Sequence, residues 1–200
     1  MTSIKLIVGL GNPGLQYAGT RHNIGFEVIE RLRLHEGLLF SPGDRLDGYD
    51  GPNNFTFARS HVPDVLFVRP MTWMNKSGEA VGPLVKWAGG DVSNLLVVFD
   101  DLDLDPGKLR IRARGGHGGQ NGMRSIIEQI SSDCFPRLRM GIGRPATDAA
   151  RHVLDPIEGA ERDVMNDAVA RASDAILHWL VGDDIDQTMS RFHSRWNQNV

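Results

Sequence analysis

Residues 6–14 read LIVGLGNPG, an apolar run that leads directly into glycines at positions 9, 11 and 14. Such a run followed by a glycine turn is typical of the first strand of an α/β sheet. The glycine spacing also matches G-x-G-x-x-G, which holds a dinucleotide pyrophosphate when a helix starts inside the motif. The same stretch therefore predicts the first strand of an α/β sheet, and it leaves open whether the glycine turn binds a dinucleotide.

The remainder of the chain alternates between strand-like and helix-like patterns. Strands are predicted at 4–10, 55–58, 65–68, 95–99, 109–113 and 138–142, and helices at 24–34, 78–88, 121–130, 160–180 and 185–192. This alternation predicts one α/β domain over residues 1–200, with a twisted mixed β-sheet surrounded by helices. The stretch 46–69 predicts some antiparallel pairing, and 147–159 is the candidate for a mobile segment.

The composition limits the class of protein. Of the 200 residues, 40% are hydrophobic and 24% are charged, as in an ordinary globular protein. No run of about 18 apolar residues occurs, so no membrane span is expected. The first residues lack the basic and apolar regions of a secretory signal, and the lone Cys134 cannot form an internal disulfide. A cytoplasmic location is therefore expected.

The net charge of −3 conceals a basic region between residues 107 and 145. That region has two acidic side chains and eight basic ones, so its local charge is +6. The basic residues are Lys108, Arg110, Arg112, Arg114, Arg124, Arg137, Arg139 and Arg144. The first four alternate and would share one face of a strand. The pattern predicts a polyanionic partner at one face of the protein.

The context of the glycine motif argues against a dinucleotide site. Gly19 interrupts the following stretch, and apolar helical spacing begins only near Ile24. An acidic residue at the end of a second strand, about 20 residues on, is also missing. The turn instead places Asn12 at the carboxyl edge of the sheet, where ligands of α/β proteins bind. His22 lies just before the first predicted helix, which would return it to that edge, although a purely structural role for Asn12 in the turn stays open.

Five stretches together resemble the motifs of bacterial-type peptidyl-tRNA hydrolases. They are GLGNPGLQYAGTRHNIG (9–25), RPMTWMNKSGEAV (69–81), DDLDLDPGKLRIR (100–112), GGHGGQNGMRSI (115–126) and RLRMGIGRP (137–145). The resemblance implies hydrolysis of the ester that joins a peptide to the 3′-terminal ribose of tRNA. It also implies a single α/β domain that acts as a monomer without metal or cofactor.

The candidate base is His22, because a neutral imidazole can accept a proton from water near neutral pH. A carboxylate would fix its tautomer, and Asp100 follows the strand-like Val97-Val98-Phe99. The residues alone leave Asp101 and Asp103 open as alternatives. The resemblance assigns the orienting role to Asp100.

Three asparagines and two further side chains complete the expected substrate cleft. Asn12, Asn75 and Asn121 are neutral amides that can serve an oxyanion or a peptide, and the resemblance places all three in the active site. From the residues alone, Asn75 and Asn121 could instead cap the helices that follow them. The resemblance also places Tyr17 and Met74 in the cleft, where Tyr17 could stack on the terminal adenine.

Arginines are expected to hold the nucleic acid, because guanidinium groups match phosphate oxygens in shape and charge. The resemblance assigns the 5′ phosphate of tRNA to Arg112 and Arg139, and Arg110 would extend the basic field toward the acceptor stem. Two positions depart from the family pattern: Gln120 and Phe99 stand where histidines are common. Glutamine keeps hydrogen bonding but cannot titrate.

Other chemistries fit the sequence poorly. The D-x-D-x-D spacing of Asp101, Asp103 and Asp105 suggests a calcium loop, but Pro106 occupies the turn-glycine position and Arg112 the position of the bidentate glutamate. No G-x-S-x-G elbow marks a covalent nucleophile, so direct attack by water is the preferred hypothesis. The alternative function is a non-catalytic RNA-binding relative. The presence of His22, Asp100 and the three asparagines Asn12, Asn75 and Asn121 favours the enzyme over that alternative.

Overall fold

The computed structural model describes residues 4–61, 64–182 and 184–197, which fold around one mixed β-sheet. Its strands are β1 (Lys5–Gly9), β2 (Ser41–Pro42), β3 (Phe55–His61), β4 (Asp64–Pro70), β5 (Leu95–Asp101), β6 (Leu109–Arg112) and β7 (Arg137–Gly141). The helices are α1 (Ile24–His35), α2 (Ser77–Trp87), α3 (Asn121–Ile130), α4 (Ala149–Leu154), α5 (Gly159–Leu180) and α6 (Ile185–Asn197). The predicted fold class is confirmed.

The order of the strands places β1 in the middle of the sheet. The order is β2-β3-β4-β1-β5-β7-β6, and β1 pairs in parallel with both β4 and β5. The predicted antiparallel hairpin is the pair β3–β4. Because parallel strands end at the same edge, the residues that follow β1 and those at the end of β5 meet there.

Helices cover both faces of the sheet, as the alternating pattern predicts. Helices α1, α5 and α6 bury Ile7 and Val98 on one face, whereas α2 and α3 bury Val8 and Val97 on the other. The central strands therefore read as continuous apolar runs. None of the helices in the described ranges is long and apolar enough to cross a membrane.

Glycines of the opening motif serve a turn and a close helix contact. A Cβ at Gly9 would lie 2.1 Å from the carbonyl oxygen of Gly25, so these two backbones touch where α1 crosses β1. Gly14 has a φ of +111°, a conformation that favours glycine. A 3₁₀ turn over Leu15–Tyr17 separates this motif from α1, so no helix starts inside it. The prediction that helical structure begins near Ile24 is thus confirmed.

Two of the predicted elements differ from the structure. Strand β6 spans Leu109–Arg112, so only Arg110 and Arg112 of the four alternating basic residues lie on it. Lys108 and Arg114 are exposed but lie outside the strand. The candidate mobile stretch 147–159 contains helix α4, whose six residues are capped by Asp148. A short helix with no buried residue carries too little apolar periodicity to be read from sequence.

The positive charge that the basic region can offer to a partner is smaller than its formal charge of +6. Arg137 is buried, and it donates hydrogen bonds to the carbonyl groups of Gly115, Gly116, Asp133 and Phe135. Burial lowers its pKa to about 10. Arg139 and Arg144 form ion pairs with Asp101 and Asp103. Within the basic region, all of which the structure describes, the residues that are exposed and form no ion pair are Lys108, Arg110, Arg112, Arg114 and Arg124.

Helix α6 covers the edge strand β6 through a histidine. The Nε2 atom of His193 accepts a hydrogen bond from the backbone N–H of Ile111 at 3.0 Å. Burial, with the nearby charges of Arg112 and Arg110, lowers the pKa of His193 below its usual 6.5. The folded state therefore favours the neutral ring.

This contact predicts a pH-dependent stability. The unfolded chain takes up a proton at His193 before the folded chain does, so stability is full above about pH 6.5 and falls as the pH drops through the folded-state pKa. His193→Gln keeps an acceptor for Ile111 but cannot titrate. Urea unfolding at pH 7.5 and 5.5 is expected to show a smaller loss of stability in His193→Gln than in the wild type. An equal loss in both proteins would contradict the role of His193.

Candidate active site

A cleft of about 600 Å³ opens at the carboxyl edge of β1 and β5. It brings together side chains that lie far apart in the sequence. The predicted site residues that line it are Asn12, His22, Met74, Asn75, Asp100 and Asn121. Trp73, Phe99, Gln120 and Arg144 also line it, and sequence reasoning did not predict a place in the cleft for Trp73 or Arg144.

His22 and Asp100 form a buried pair at the floor of this cleft. Nδ1 of His22 lies 2.9 Å from Oδ2 of Asp100, and the two residues are 9% and 4% exposed. Asp100 therefore fixes the ring with its proton on Nδ1, which leaves a lone pair on Nε2. Asp101 and Asp103, the alternatives left open by the sequence, instead pair with arginines.

The turn that carries His22 is anchored on both sides. It is the 3₁₀ turn Arg21–Asn23, which immediately precedes α1. The guanidinium of Arg21 binds the carboxylate of Glu161 on α5, with Nε–Oε1 at 2.8 Å. The same group donates to the carbonyl oxygens of His152 and Asp155. These contacts of Arg21 fix the backbone of the turn from outside the cleft, and the fixed backbone in turn positions the His22 imidazole.

Asn12 is fixed by a reciprocal contact with Asn23. The backbone N–H of Asn12 donates to Oδ1 of Asn23 at 2.8 Å, and Nδ2 of Asn23 donates back to the carbonyl of Asn12 at 2.9 Å. The side-chain oxygen of Asn12 accepts the N–H of Met74 at 2.8 Å. With its oxygen held, the planar amide has a fixed orientation, and its Nδ2 has no acceptor among the described residues. Sequence reasoning missed Asn23, whose only signal is its place beside His22.

Gln120 supports the carboxylate of the pair. Its Nε2 donates to Oδ1 of Asp100 at 3.1 Å and lies 3.2 Å from the sulfur of Met74. Its Oε1 accepts the N–H of Met123 at 2.8 Å and so caps α3. Both oxygens of Asp100 are thus occupied, one by the imidazole and one by an amide that cannot titrate.

Gln120→Leu tests this support. A hydrogen bond to a charged group contributes about 1.5–3 kcal/mol, so kcat is expected to fall by about tenfold or more when Asp100 loses it. The variant also loses the cap, so its unfolding temperature should fall modestly. Gln187→Leu, an exposed position on α6, is the matched control. Unchanged kcat in folded Gln120→Leu would show that the hydrogen bond does not matter for turnover.

The other two asparagines do not cap helices. Asn75 is exposed in the 3₁₀ turn before α2 and makes no side-chain cap there. Asn121 is exposed as the first residue of α3, and the cap of that helix is Gln120. The capping roles left open from sequence are therefore wrong, and both amides face the cleft as lining residues.

Tyr17 lies beside the cleft rather than in its lining. Its ring meets that of Trp73 edge to face, with centroids 5.8 Å apart, and Trp73 is half exposed. Two aromatic rings at the rim form a surface on which a base could stack. The stacking role expected for Tyr17 thus stays a prediction, now shared with Trp73.

The arginines lie outward from the cleft on β6 and β7. Arg110 and Arg112 alternate with buried neighbours, so both point to solvent on one face of β6. Arg139 lies opposite Arg110 in the β6–β7 register and is half-buried against Asp101. In the described ranges no group of three or more His, Cys, Asp or Glu residues could hold a metal ion.

Comparisons with known proteins agree with one another. A family model for peptidyl-tRNA hydrolase matches residues 6–199. A peptidyl-tRNA hydrolase from Syntrophomonas wolfei is 46% identical over 191 residues, covering 95% of this chain and 100% of that protein. One from Synechococcus sp. is 44% identical over 193 residues, covering 96% and 83%. The crystal structure of the peptidyl-tRNA hydrolase from Acinetobacter baumannii superposes with a TM-score of 0.85 at 36% identity, covering 96% of this chain and 95% of that one.

Proposed function

The chain belongs to the peptidyl-tRNA hydrolase family, and we propose on this basis that it hydrolyses the ester between a peptide and the 3′-terminal ribose of tRNA. The observation that carries the proposal is the buried His22–Asp100 pair, which opens into the same cleft as the amide of Asn12. A purely RNA-binding relative would have no use for an oriented base. The products are a free peptide carboxylate and a tRNA with a free ribose hydroxyl.

The reaction begins with water near Nε2 of His22. The imidazole takes a proton as the water oxygen attacks the ester carbon, and the carbonyl oxygen becomes an oxyanion. Asp100 stabilises the imidazolium that forms, and Nδ2 of Asn12 donates to the oxyanion. The intermediate then expels the ribose oxygen, which takes the proton back from His22. No covalent enzyme intermediate and no cofactor is needed for this sequence.

Asn75 and Asn121 serve the peptide side of the ester in this proposal. Neutral amides can both donate to and accept from the peptide bond next to the ester. A free α-ammonium group would instead lose its hydration against uncharged side chains. The cleft therefore favours an N-blocked aminoacyl group over an unblocked one.

The tRNA side is assigned to the basic region. Arg112 and Arg139 bind the 5′ phosphate and Arg110 extends the contact to the acceptor stem. Arg112 is exposed without an ion pair in the described residues, whereas Arg139 shares its guanidinium with Asp101. We assign residues 1–200 to one domain that acts as a monomer, and the exposed free thiol of Cys134 fits a reducing cytoplasm.

Arg112→Ala is expected to raise KM by about tenfold and to change kcat less, because a phosphate contact is made equally in the ground and transition states. A plot of log KM against log salt concentration should have a slope that is smaller by about one, because one fewer counterion is released on binding. Arg45→Ala removes an exposed arginine beside β2, near the opposite edge of the sheet, and serves as the control. A salt series in which both variants match the wild type would contradict the assignment.

The direct test of function compares two substrates that differ only at the α-amino group. Purified protein is given N-acetyl-aminoacyl-tRNA and the same aminoacyl-tRNA without the acetyl group. The expected result is rapid release of tRNA from the blocked ester and little release from the free one. Failure to cleave the blocked ester would contradict the proposal, and equal cleavage of both would contradict the specificity.

A further inference from the structure

Arg144 lines the active-site cleft, but the reaction proposed above gives it no role. Among the described residues that line the cleft of about 600 Å³, it is the only lysine or arginine. Arg144 is exposed, so its guanidinium lies on the solvent side of the cleft, whereas His22 and Asp100 are buried at the floor. This position suits a contact with a negatively charged part of a substrate that enters the cleft.

The backbone around Arg144 is held by the turn that follows β5. The N–H of Ile142 donates to the carbonyl oxygen of Asp101 at 3.0 Å, and the N–H of Gly143 donates to that of Leu104 at 2.9 Å. Gly143 has a φ of +70°, a conformation that favours glycine and turns the chain just before Arg144. The backbone therefore has a fixed place at the carboxyl edge of the sheet, while the long side chain of Arg144 can still move.

The carboxylate that the guanidinium binds in this structure is a weak partner. Arg144 pairs with Asp103, and the two side chains are 63% and 51% exposed. An ion pair this exposed contributes little to stability, because water screens both charges. A phosphate presents two oxygens that match the two parallel N–H donors of a guanidinium. Arg144 can therefore exchange Asp103 for a phosphate with little loss of stability.

The remaining charge of the cleft is negative. Asp100 and Asp101 both line it. Asp101 is neutralised by Arg139, whereas Asp100 is bound to the neutral ring of His22 and keeps its charge. A phosphate near the catalytic pair is therefore repelled unless a cation compensates, and Arg144 is placed to do so.

The order of the strands places Arg144 between the basic region and the catalytic pair. The order on this side of the sheet is β5-β7-β6, with Asp100 on β5, Arg110 and Arg112 on β6, and Arg144 just after β7. In peptidyl-tRNA the phosphodiester nearest to the ester joins the terminal nucleotide to the one before it, because the ester is on the terminal ribose. A 3′ end that runs from β6 into the cleft brings this phosphodiester past Arg144.

We propose that Arg144 binds the phosphodiester between the last two nucleotides of peptidyl-tRNA and thereby holds the terminal ribose over His22. The inference rests on the proposed function, because it concerns the RNA half of the same substrate. It makes Arg144 a specificity-determining residue, since an ester on this ribose is cleaved faster when the adjoining linkage is charged. The contact is separate from the one that Arg112 and Arg139 make with the 5′ phosphate.

The test removes the charge from each side of the contact in turn. The modified substrate is N-acetyl-aminoacyl-tRNA in which this one linkage is a methylphosphonate, which has nearly the shape of a phosphodiester but no charge. In the wild type this change is expected to lower kcat/KM by about tenfold, as the loss of a hydrogen bond to a charged group does. Arg144→Gln should lower kcat/KM on the unmodified substrate by a similar factor. It should show little further loss on the modified substrate, because the same contact is already gone.

Two further variants separate this contact from other effects. Arg151→Gln removes an exposed arginine of α4 that also pairs with a carboxylate but does not line the cleft, so it should keep the full methylphosphonate effect. Asp103→Asn removes the partner of Arg144 but leaves the guanidinium free for the phosphate. It should keep the methylphosphonate effect and cleave the unmodified substrate at least as well as the wild type.

Three results would overturn the assignment of Arg144 while leaving the hydrolase function intact. The first is a wild type that cleaves both substrates equally well. The second is a full methylphosphonate effect in Arg144→Gln, which would mean that the guanidinium binds another group, such as a carboxylate of the peptide. The third is an equal loss of activity in Asp103→Asn and Arg144→Gln, which would assign only a structural role to the ion pair. Failure of the wild type to cleave the unmodified substrate would instead contradict the proposed function.

Discussion

Replacing His22 with alanine is expected to lower kcat on N-acetyl-aminoacyl-tRNA by about 10²–10⁴-fold, the usual contribution of a positioned general base. The imidazole lines the cleft, is held by a carboxylate at 2.9 Å and has a second nitrogen left to accept a proton. KM should change little, since the phosphate and peptide contacts stay in place. Single-turnover rates measured with saturating enzyme give kcat without interference from product release.

The fold of His22→Ala must be checked, because His22 is buried. Thermal unfolding should remain cooperative, since Arg21 and Asn23 still anchor the turn. His61→Ala removes an exposed histidine at the end of β3 and is the matched control. A folded His22→Ala protein with nearly normal turnover would eliminate His22 as the base.

Asn12→Asp is expected to lower kcat by about 10²–10³-fold, as does the loss of one donor to an oxyanion in other hydrolases. The carboxylate can still accept the N–H of Met74, as Oδ1 of Asn12 does at 2.8 Å, so the local structure should persist. The substitution removes the N–H₂ donor and places negative charge where the oxyanion forms. This variant therefore separates donation by Asn12 from its structural role.

The matching control for Asn12 is Asn53→Asp, which makes the same chemical change at an exposed site before β3. The expected pattern is a large fall in kcat for Asn12→Asp, with KM within a few fold of the wild type. A rise in KM together with the fall in kcat would show that Asn12 acts as part of the turn, and activity equal to the control would show that its amide does not donate to the oxyanion.

Local sequence patterns predict the sheet, and they predict that Asn12, His22 and the end of β5 meet at one edge of it. The continuous apolar runs of β1 and β5 predict buried parallel strands, and Asn12 and Asp100 lie at their carboxyl ends. The residues alone could not choose Asp100 over Asp101, since both end the same strand. The choice depends on side-chain direction, which alternates along β5 and turns only one of the two toward His22.

Contacts between distant segments were beyond the reach of pattern reasoning. Arg137 was counted in the basic region, yet it is buried and bound to backbone carbonyls of the loop before α3. Gln120 was known only as a departure from a family histidine, and its double contact with Asp100 and the start of α3 needs the folded geometry. Strand β3 extends to His61 because polar residues there pair with β4, although they carry no apolar alternation.

The central claim is that the imidazole of His22 activates the water that cleaves the ester. The most direct measurement is the single-turnover rate on N-acetyl-aminoacyl-tRNA for the wild type and for His22→Ala, each with and without added imidazole. We expect His22→Ala to be slower by about 10²–10⁴-fold and to regain part of the rate when imidazole replaces the missing base, whereas the wild type should not respond. A folded His22→Ala protein that cleaves the ester at nearly the wild-type rate without imidazole would contradict the claim.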